Sequence, residues 1–220
     1  MREVLVLRPE PGASATMRRA DELGLPAIAI PLFDIEPIDW ASPDPGAFDG
    51  LLLTSANAVR HGGDQLRDFR DLPVYAVGEG TAHEARKKGF SVVLVGEAGV
   101  DCLLRSIDTE LRLLHLCGED RRQTVEPLRL VRAIPVYRSK VIEGLDMGPA
   151  RDVVALVHSP RAGRRFAELV VDPRSIAIVA ISRAAADSVG TGWESVEVAE
   201  KPTDDALLAL AARLCNKPHL

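Results

Sequence analysis

The chain has 220 residues, 46% hydrophobic and 27% charged, with a formal charge of −5, which suits one large or two small globular domains. The negative balance argues against a nucleic-acid footprint or a basic membrane face, and no apolar run nears the ~20 residues of a membrane helix. Three cysteines, Cys102, Cys117 and Cys215, have no metal-ligand spacing and read as buried thiols of a reducing cytoplasm.

Met1-Arg2-Glu3 leads straight into Val4-Leu5-Val6-Leu7, an apolar run suited to a central parallel strand rather than to a signal peptide. The turn Arg8-Pro9-Glu10-Pro11-Gly12 ends it. Residues 13–23 are predicted helical, with Met17, Ala20 and Leu23 on one face and Gly24 as the stop. A strand over 27–30 follows. Residues 31–38 then alternate apolar and polar between two prolines, a pattern that fits an exposed extended linker better than a sheet interior. Beyond it, apolar runs at 50–53, 74–77, 92–95 and 113–116 alternate with helix-like stretches at 56–69, 81–88 and 100–107. That βα alternation indicates a parallel sheet with helices on both faces.

A second alternating segment, 134–142, separates this unit from a resumed βα pattern with strands at 153–157, 176–181 and 196–198. The last helix has Thr203 as its cap, Asp204 and Asp205 at its positive end, and a stripe of Leu207, Leu210, Ala211 and Leu214. Two linkers imply a chain that leaves one domain and returns to it. The expected layout is an α/β protein of two similar parallel-sheet domains, residues 1–32 with 143–220 and residues 39–133. They would be joined by a two-stranded extended linker, 33–38 and 134–142, pairing as an antiparallel hinge beside a ligand cleft.

The two halves repeat. Ser55 and Gly78 lie 23 residues apart, as do Ser159 and Ser182, and 104 residues separate the two pairs. The same offset relates Ile30-Pro31 to Ile134-Pro135, and Asp101, Leu103 and Leu104 to Asp205, Leu207 and Leu208. Such ungapped agreement reads as duplication of an α/β unit.

The candidate site lies where strands end. Thr54, Ser55, Asn57, Gly78, Thr81, Ser159 and Ser182 all stand at predicted carboxyl ends of strands, where open α/β sheets bind ligands. Each hydroxyl alone is explained by helix capping; together, with glycines that admit a ligand to the backbone, they suit an anionic substrate. His158-Ser159 invites a nucleophile reading, but no carboxylate partner can be assigned from the sequence. The five histidines never pair at i, i+4, so no metal site is expected. Arg121-Arg122 reads as a solvated face, or as cations at a cleft rim. Tyr137 stands where the repeat has Phe33, so one hydroxyl has been added to the linker; it reads either as a general acid or as an amphipathic ribbon residue with a wet tip.

These residues, in series, resemble the uroporphyrinogen-III synthase family. The resemblance rests on Arg8-Pro9, Ile30-Pro31-Leu32, Phe48 to Val59 through Thr54-Ser55-Ala56-Asn57, Val77-Gly78-Glu79-Gly80-Thr81-Ala82, Leu114 to Glu119, Val136-Tyr137, His158-Ser159-Pro160 and Pro202-Thr203. It implies a cofactor-free cyclisation of hydroxymethylbilane, a linear tetrapyrrole with eight carboxylates, with loss of a hydroxyl and inversion of the D ring through a spirocyclic intermediate. The expected protein is a cytoplasmic monomer, working alone or in transient contact with the enzyme that makes its substrate. Tyr137 matches the tyrosine proposed to assist departure of the hydroxyl, and Ser55, Thr81 and Ser159 match cleft Ser/Thr positions; Arg8, Thr54, Asn57, Gly78 and Ser182 complete the expected substrate-binding set. The chain departs from the family at Ala184 and Ala185, where threonines are common, leaving Ser182 or Arg183 as substitutes. Two other readings compete: a non-catalytic two-lobed small-molecule sensor, and a homologue that binds tetrapyrrole without cyclising it.

Overall fold

The computed structural model describes residues 1–96, 99–120 and 130–216. The chain divides into two units, Met1–Asp34 with Val141–Leu220, and Ile35–Lys140. Each is an α/β unit built on one sheet.

The first unit holds a five-stranded sheet of β1 (Glu3–Val6), β2 (Ala27–Ala29), β9 (Val153–Val157), β10 (Ala177–Ala180) and β11 (Ser195–Val198). Its order is β11-β10-β9-β1-β2, and every pairing is parallel. Parallel strands buried on both faces need continuous apolar runs, and Val4-Leu5-Val6-Leu7 is such a run. Val4 and Val6 point to one face with helices α1 (Gly12–Glu22) and α7 (Asp204–Cys215); Leu5 and Leu7 point to the other with α5 (Pro160–Leu169) and α6 (Arg183–Asp187). Arg2, only 7% exposed, is held by Glu194 at 2.6 Å and by the carbonyls of Val153 and Ser175.

In the second unit the order is β3-β8-β7-β4-β5-β6, formed by β3 (Phe33–Pro37), β4 (Gly50–Leu53), β5 (Val74–Val77), β6 (Val92–Gly96), β7 (Leu113–Gly118) and β8 (Val131–Val141). Helices α2 (Ala56–His61) and α3 (Glu79–Lys87) cover one face, and α4 (Val100–Arg105) the other. The 104-residue repeat is visible as topology. β4, β5 and β6 occupy in one sheet the places of β9, β10 and β11 in the other, and Leu51 pairs with Val74 as Ala155 pairs with Ile178.

One expectation needs correction. The predicted helix over 56–69 breaks after His61, because Gly62-Gly63 follows and Gly63 takes φ +73°; residues Asp64–Phe69 form a separate 3-10 helix. The second linker segment, 134–142, is extended as expected and is also an inner strand of a sheet. It belongs to the 11-residue β8, which lies inside the sheet between β3 and β7, with Val136 fully buried. Pro135 is tolerated there because the register slips beside it: Cys117 faces Pro135 but Gly118 faces Tyr137. The linker strands do pair, and the bonds Ile38 N to Val136 O and Ile142 N to Leu32 O run antiparallel.

Candidate functional site

The second unit gathers Thr54, Ser55 and Asn57 at the carboxyl end of β4, with Gly78 and Thr81 at the end of the adjoining β5, while Tyr137 stands in the middle of β8, opposite Gly118 at the carboxyl end of β7. Ser55 adopts extended backbone and caps α2, its Oγ accepting from Asn57 N at 3.2 Å. That leaves its hydroxyl proton for another partner, and the Ser55 hydroxyl acts on the Tyr137 phenol in the sense that lowers its pKa. Asn57 is tied through Oδ1 to Arg60 Nη1 at 3.2 Å, and Arg60 pairs with Glu84 of α3 at 3.1 Å. Gly78 takes φ +79° and opens α3 with no neighbour where a Cβ would stand, so the backbone there is accessible. Thr81 is 6% exposed in the first turn of α3.

Tyr137 is half-buried. Burial pushes its phenol above the ordinary value, the Ser55 hydrogen bond pulls the other way, and the nearby Cys117 and Asp120 raise it again. The net shift is upward, so the group is a protonated donor at neutral pH. Gly118 makes room for the ring: a Cβ there would fall 2.8 Å from Tyr137 Cζ and 3.0 Å from its hydroxyl oxygen. The His61 ring lies 6.4 Å from that of Tyr137, and burial, then the Arg60 charge, lower its pKa, favouring the neutral imidazole. Beneath them Thr54 Oγ1 meets the buried His115 Nε2 at 3.0 Å.

In the first unit Arg8, Ser159 and Ser182 stand at the ends of the adjacent strands β1, β9 and β10. Both serines cap helices, Ser159 accepting from Ala162 N at 3.1 Å and Ser182 from Ala185 N at 3.3 Å. Ala185 is fully buried and Ala184 exposed, so the two departures from the family pattern differ in setting. His158 does have a carboxylate, contrary to the sequence reading. Its Nε2 lies 3.0 Å from Asp204 Oδ1, while its buried Nδ1 has no partner. His158 Nε2 is engaged by Asp204 and no hydrogen bond joins the ring to Ser159 among the described residues, so the two are not arranged as a base and its nucleophile. Asp204 also departs from expectation: Asp205 is exposed at the head of α7, whereas the Asp204 side chain is 6% exposed and accepts from four side chains.

Sequence reasoning missed the Asp204 cluster, the room left by Gly118 and the His61 and His115 neighbours. The first and second depend on packing between distant segments, although Gly118 directly after a strand was a visible signal. Arg121, Arg122 and His219 lie outside the described residues. Among the described residues no group of three or more His, Cys, Asp or Glu could hold a metal, and no helix is long and apolar enough to cross a membrane.

A family model described as uroporphyrinogen-III synthase HemD matches residues 14–209. The chain belongs to the uroporphyrinogen-III synthase family. A curated uroporphyrinogen-III synthase of Chlorobaculum parvum is 32% identical over 101 residues, which span 42% of this chain and 41% of the relative. The crystal structure of uroporphyrinogen-III synthetase from Helicobacter pylori is similar over 97% of this chain and 100% of that one, with a TM-score of 0.71 at 18% identity. A mutant uroporphyrinogen III synthase of Thermus thermophilus is similar over 98% and 100%, with a TM-score of 0.52 at 16% identity. At such identities the two structures speak for the synthase fold, and the family assignment rests on the match over 14–209.

Proposed function

We propose that the chain cyclises hydroxymethylbilane to uroporphyrinogen III, inverting the D ring and losing water. The match of residues 14–209 to this family is the observation that carries the reading. The geometry supports it further, since an acid suited to a departing hydroxyl stands in β8 beside the carboxyl end of β7.

Tyr137 is the proton donor in this reading. Departure of hydroxide from the substrate's terminal carbon is slow unless a proton arrives with it, and the raised phenol keeps that proton at neutral pH. The phenol gives its proton to the leaving oxygen, which departs as water. Ser55 steadies the phenolate that forms, and the proton lost when the pyrrole regains aromaticity restores the phenol. Overall one hydroxyl and one hydrogen leave the substrate, so no redox partner is required.

Eight carboxylates need holding while a flexible chain is folded into reactive shape, and positioning of this kind supplies a large share of a barrier reduction. Thr54, Ser55, Asn57, Gly78 and Thr81 in one unit, and Arg8, Ser159 and Ser182 in the other, are the groups proposed to hold them through hydroxyl, amide, backbone and guanidinium donors. The enzyme would act as a monomer in the cytoplasm, in transient contact with the enzyme that releases its substrate. Supplying hydroxymethylbilane and identifying the product isomer tests the reading: type III is expected, and type I alone at the spontaneous rate would leave a binding protein.

A further inference from the structure

We propose that Asp204 is a positioning residue, holding the Arg8 guanidinium at the strand-end edge of the first unit so that its unused donors take a substrate carboxylate. The inference rests on the substrate class proposed above. Asp204 accepts from three separate segments: Arg8 Nη1 after β1 at 2.9 and 3.0 Å, Thr16 Oγ1 and Arg19 Nη1 of α1 at 2.7 and 3.1 Å, and His158 Nε2 after β9 at 3.0 Å. A buried carboxylate is costly unless paired in this way. Capping α7 does not require it, because Thr203 already accepts from Ala206 N.

What the cluster does fix is Arg8. Only its Nη1 is engaged, by Asp204 and, at 3.4 Å, by Thr16; Nε and Nη2 have no partner among the described residues. The side chain is 33% exposed, so a ligand can reach the guanidinium in part, with Gly12 packed against its Nε side. A guanidinium tethered at one nitrogen has already lost the rotamer freedom that binding would otherwise remove, and its remaining N–H groups match a carboxylate. Gly12 completes the seat. A Cβ at that position would come 2.8 Å from Arg8 Cζ and 2.9 Å from Nη2, so any larger residue displaces the guanidinium.

The test is a fluorescence titration of the full chain with uroporphyrin III, an octacarboxylate, in wild type, Arg8→Gln, Asp204→Asn, Gly12→Ala and the double variants with Arg8→Gln. Urea unfolding is measured alongside. Loss of one charged hydrogen-bonding group is expected to raise Kd about tenfold or more. Asp204→Asn and Gly12→Ala should each weaken binding, and neither should add to the loss already present in Arg8→Gln. Gly12→Ala leaves the buried carboxylate intact and so serves even if Asp204→Asn fails to fold. An unchanged Kd in Arg8→Gln, or in Gly12→Ala, overturns the inference alone, as does a lowered urea midpoint with unaltered Kd in Asp204→Asn. A wild-type chain that does not bind uroporphyrin III overturns the inference, and the isomer formed from hydroxymethylbilane decides the proposed function separately.

Discussion

Replacing Gly118 by alanine asks whether the placement of one phenol controls the reaction. The new Cβ would stand 2.8 Å from Tyr137 Cζ, whereas non-bonded carbons settle at about 3.5–4.0 Å, so the ring must move by about 1 Å. Gly118 is not among the residues with positive φ, so alanine adds little backbone strain and the perturbation falls on the ring. Overpacking of this kind costs about 1–3 kcal/mol of stability, which urea unfolding reads. A 1 Å misplacement of a reacting group can cost ~100-fold in rate. The assay is kcat for type III product from hydroxymethylbilane, in wild-type and Tyr137→Phe backgrounds. A large loss is expected in the first and little further loss in the second, because the two changes act through the same hydroxyl. A folded Gly118→Ala protein with the wild-type rate, or a loss that is fully additive with Tyr137→Phe, would refute the reasoning.

The other predictions concern Ser55, Tyr137 and Asp204. Ser55→Ala removes a helix cap, worth about 1 kcal/mol, and also the hydrogen bond to the phenol, so kcat should fall beyond what the stability change explains; a stability loss with unaltered kcat would leave Ser55 as a cap only. The Tyr137 phenol is raised, so activity should stay level through neutral pH and fall only at alkaline pH above the ordinary tyrosine range, a limb that Tyr137→Phe should abolish. For Asp204, burial alone would raise the carboxyl, but the hydrogen bonds from His158 and Thr16 and the Arg8 charge outweigh it and the net shift is strongly downward. A depressed folded pKa gives stability that is present above the unfolded value near 3.9 and lost as pH falls below it. Urea midpoints measured from neutral pH into acid should therefore decline less in Asp204→Asn than in wild type.

The fold class was legible because parallel strands advertise themselves. Val4 to Leu7, Gly50 to Leu53 and Val153 to Val157 are apolar without alternation, and each is followed by a helix-compatible stretch. The offset of 104 residues carried further than any single motif, since it foretold that β4-β5-β6 and β9-β10-β11 would be equivalent strands. Less could be read at the linkers. Alternation over 134–142 marked an extended segment but not its place in a sheet, where the register slip opposite Cys117 and Gly118 lets Pro135 sit in an inner strand. At the candidate site the residue types were visible, including the serines at strand ends, and their capping roles follow from local geometry. The Asp204 cluster was hidden because its partners come from residues 8, 16, 19 and 158, and nothing local in Thr203-Asp204-Asp205 distinguishes the buried aspartate from the exposed one. The glycine at 118 was visible, but not its purpose, which is set by the Tyr137 ring on the neighbouring strand β8.

The central claim is a reaction, and the product isomer tests it most directly. Hydroxymethylbilane mixed with wild-type protein and with Tyr137→Phe, and the products separated over time, should give type III product from wild type well ahead of spontaneous closure. The phenylalanine variant should fold normally but form it about 100-fold more slowly or worse. Type I product alone from the wild-type protein, at the rate of the buffer control, would contradict the account.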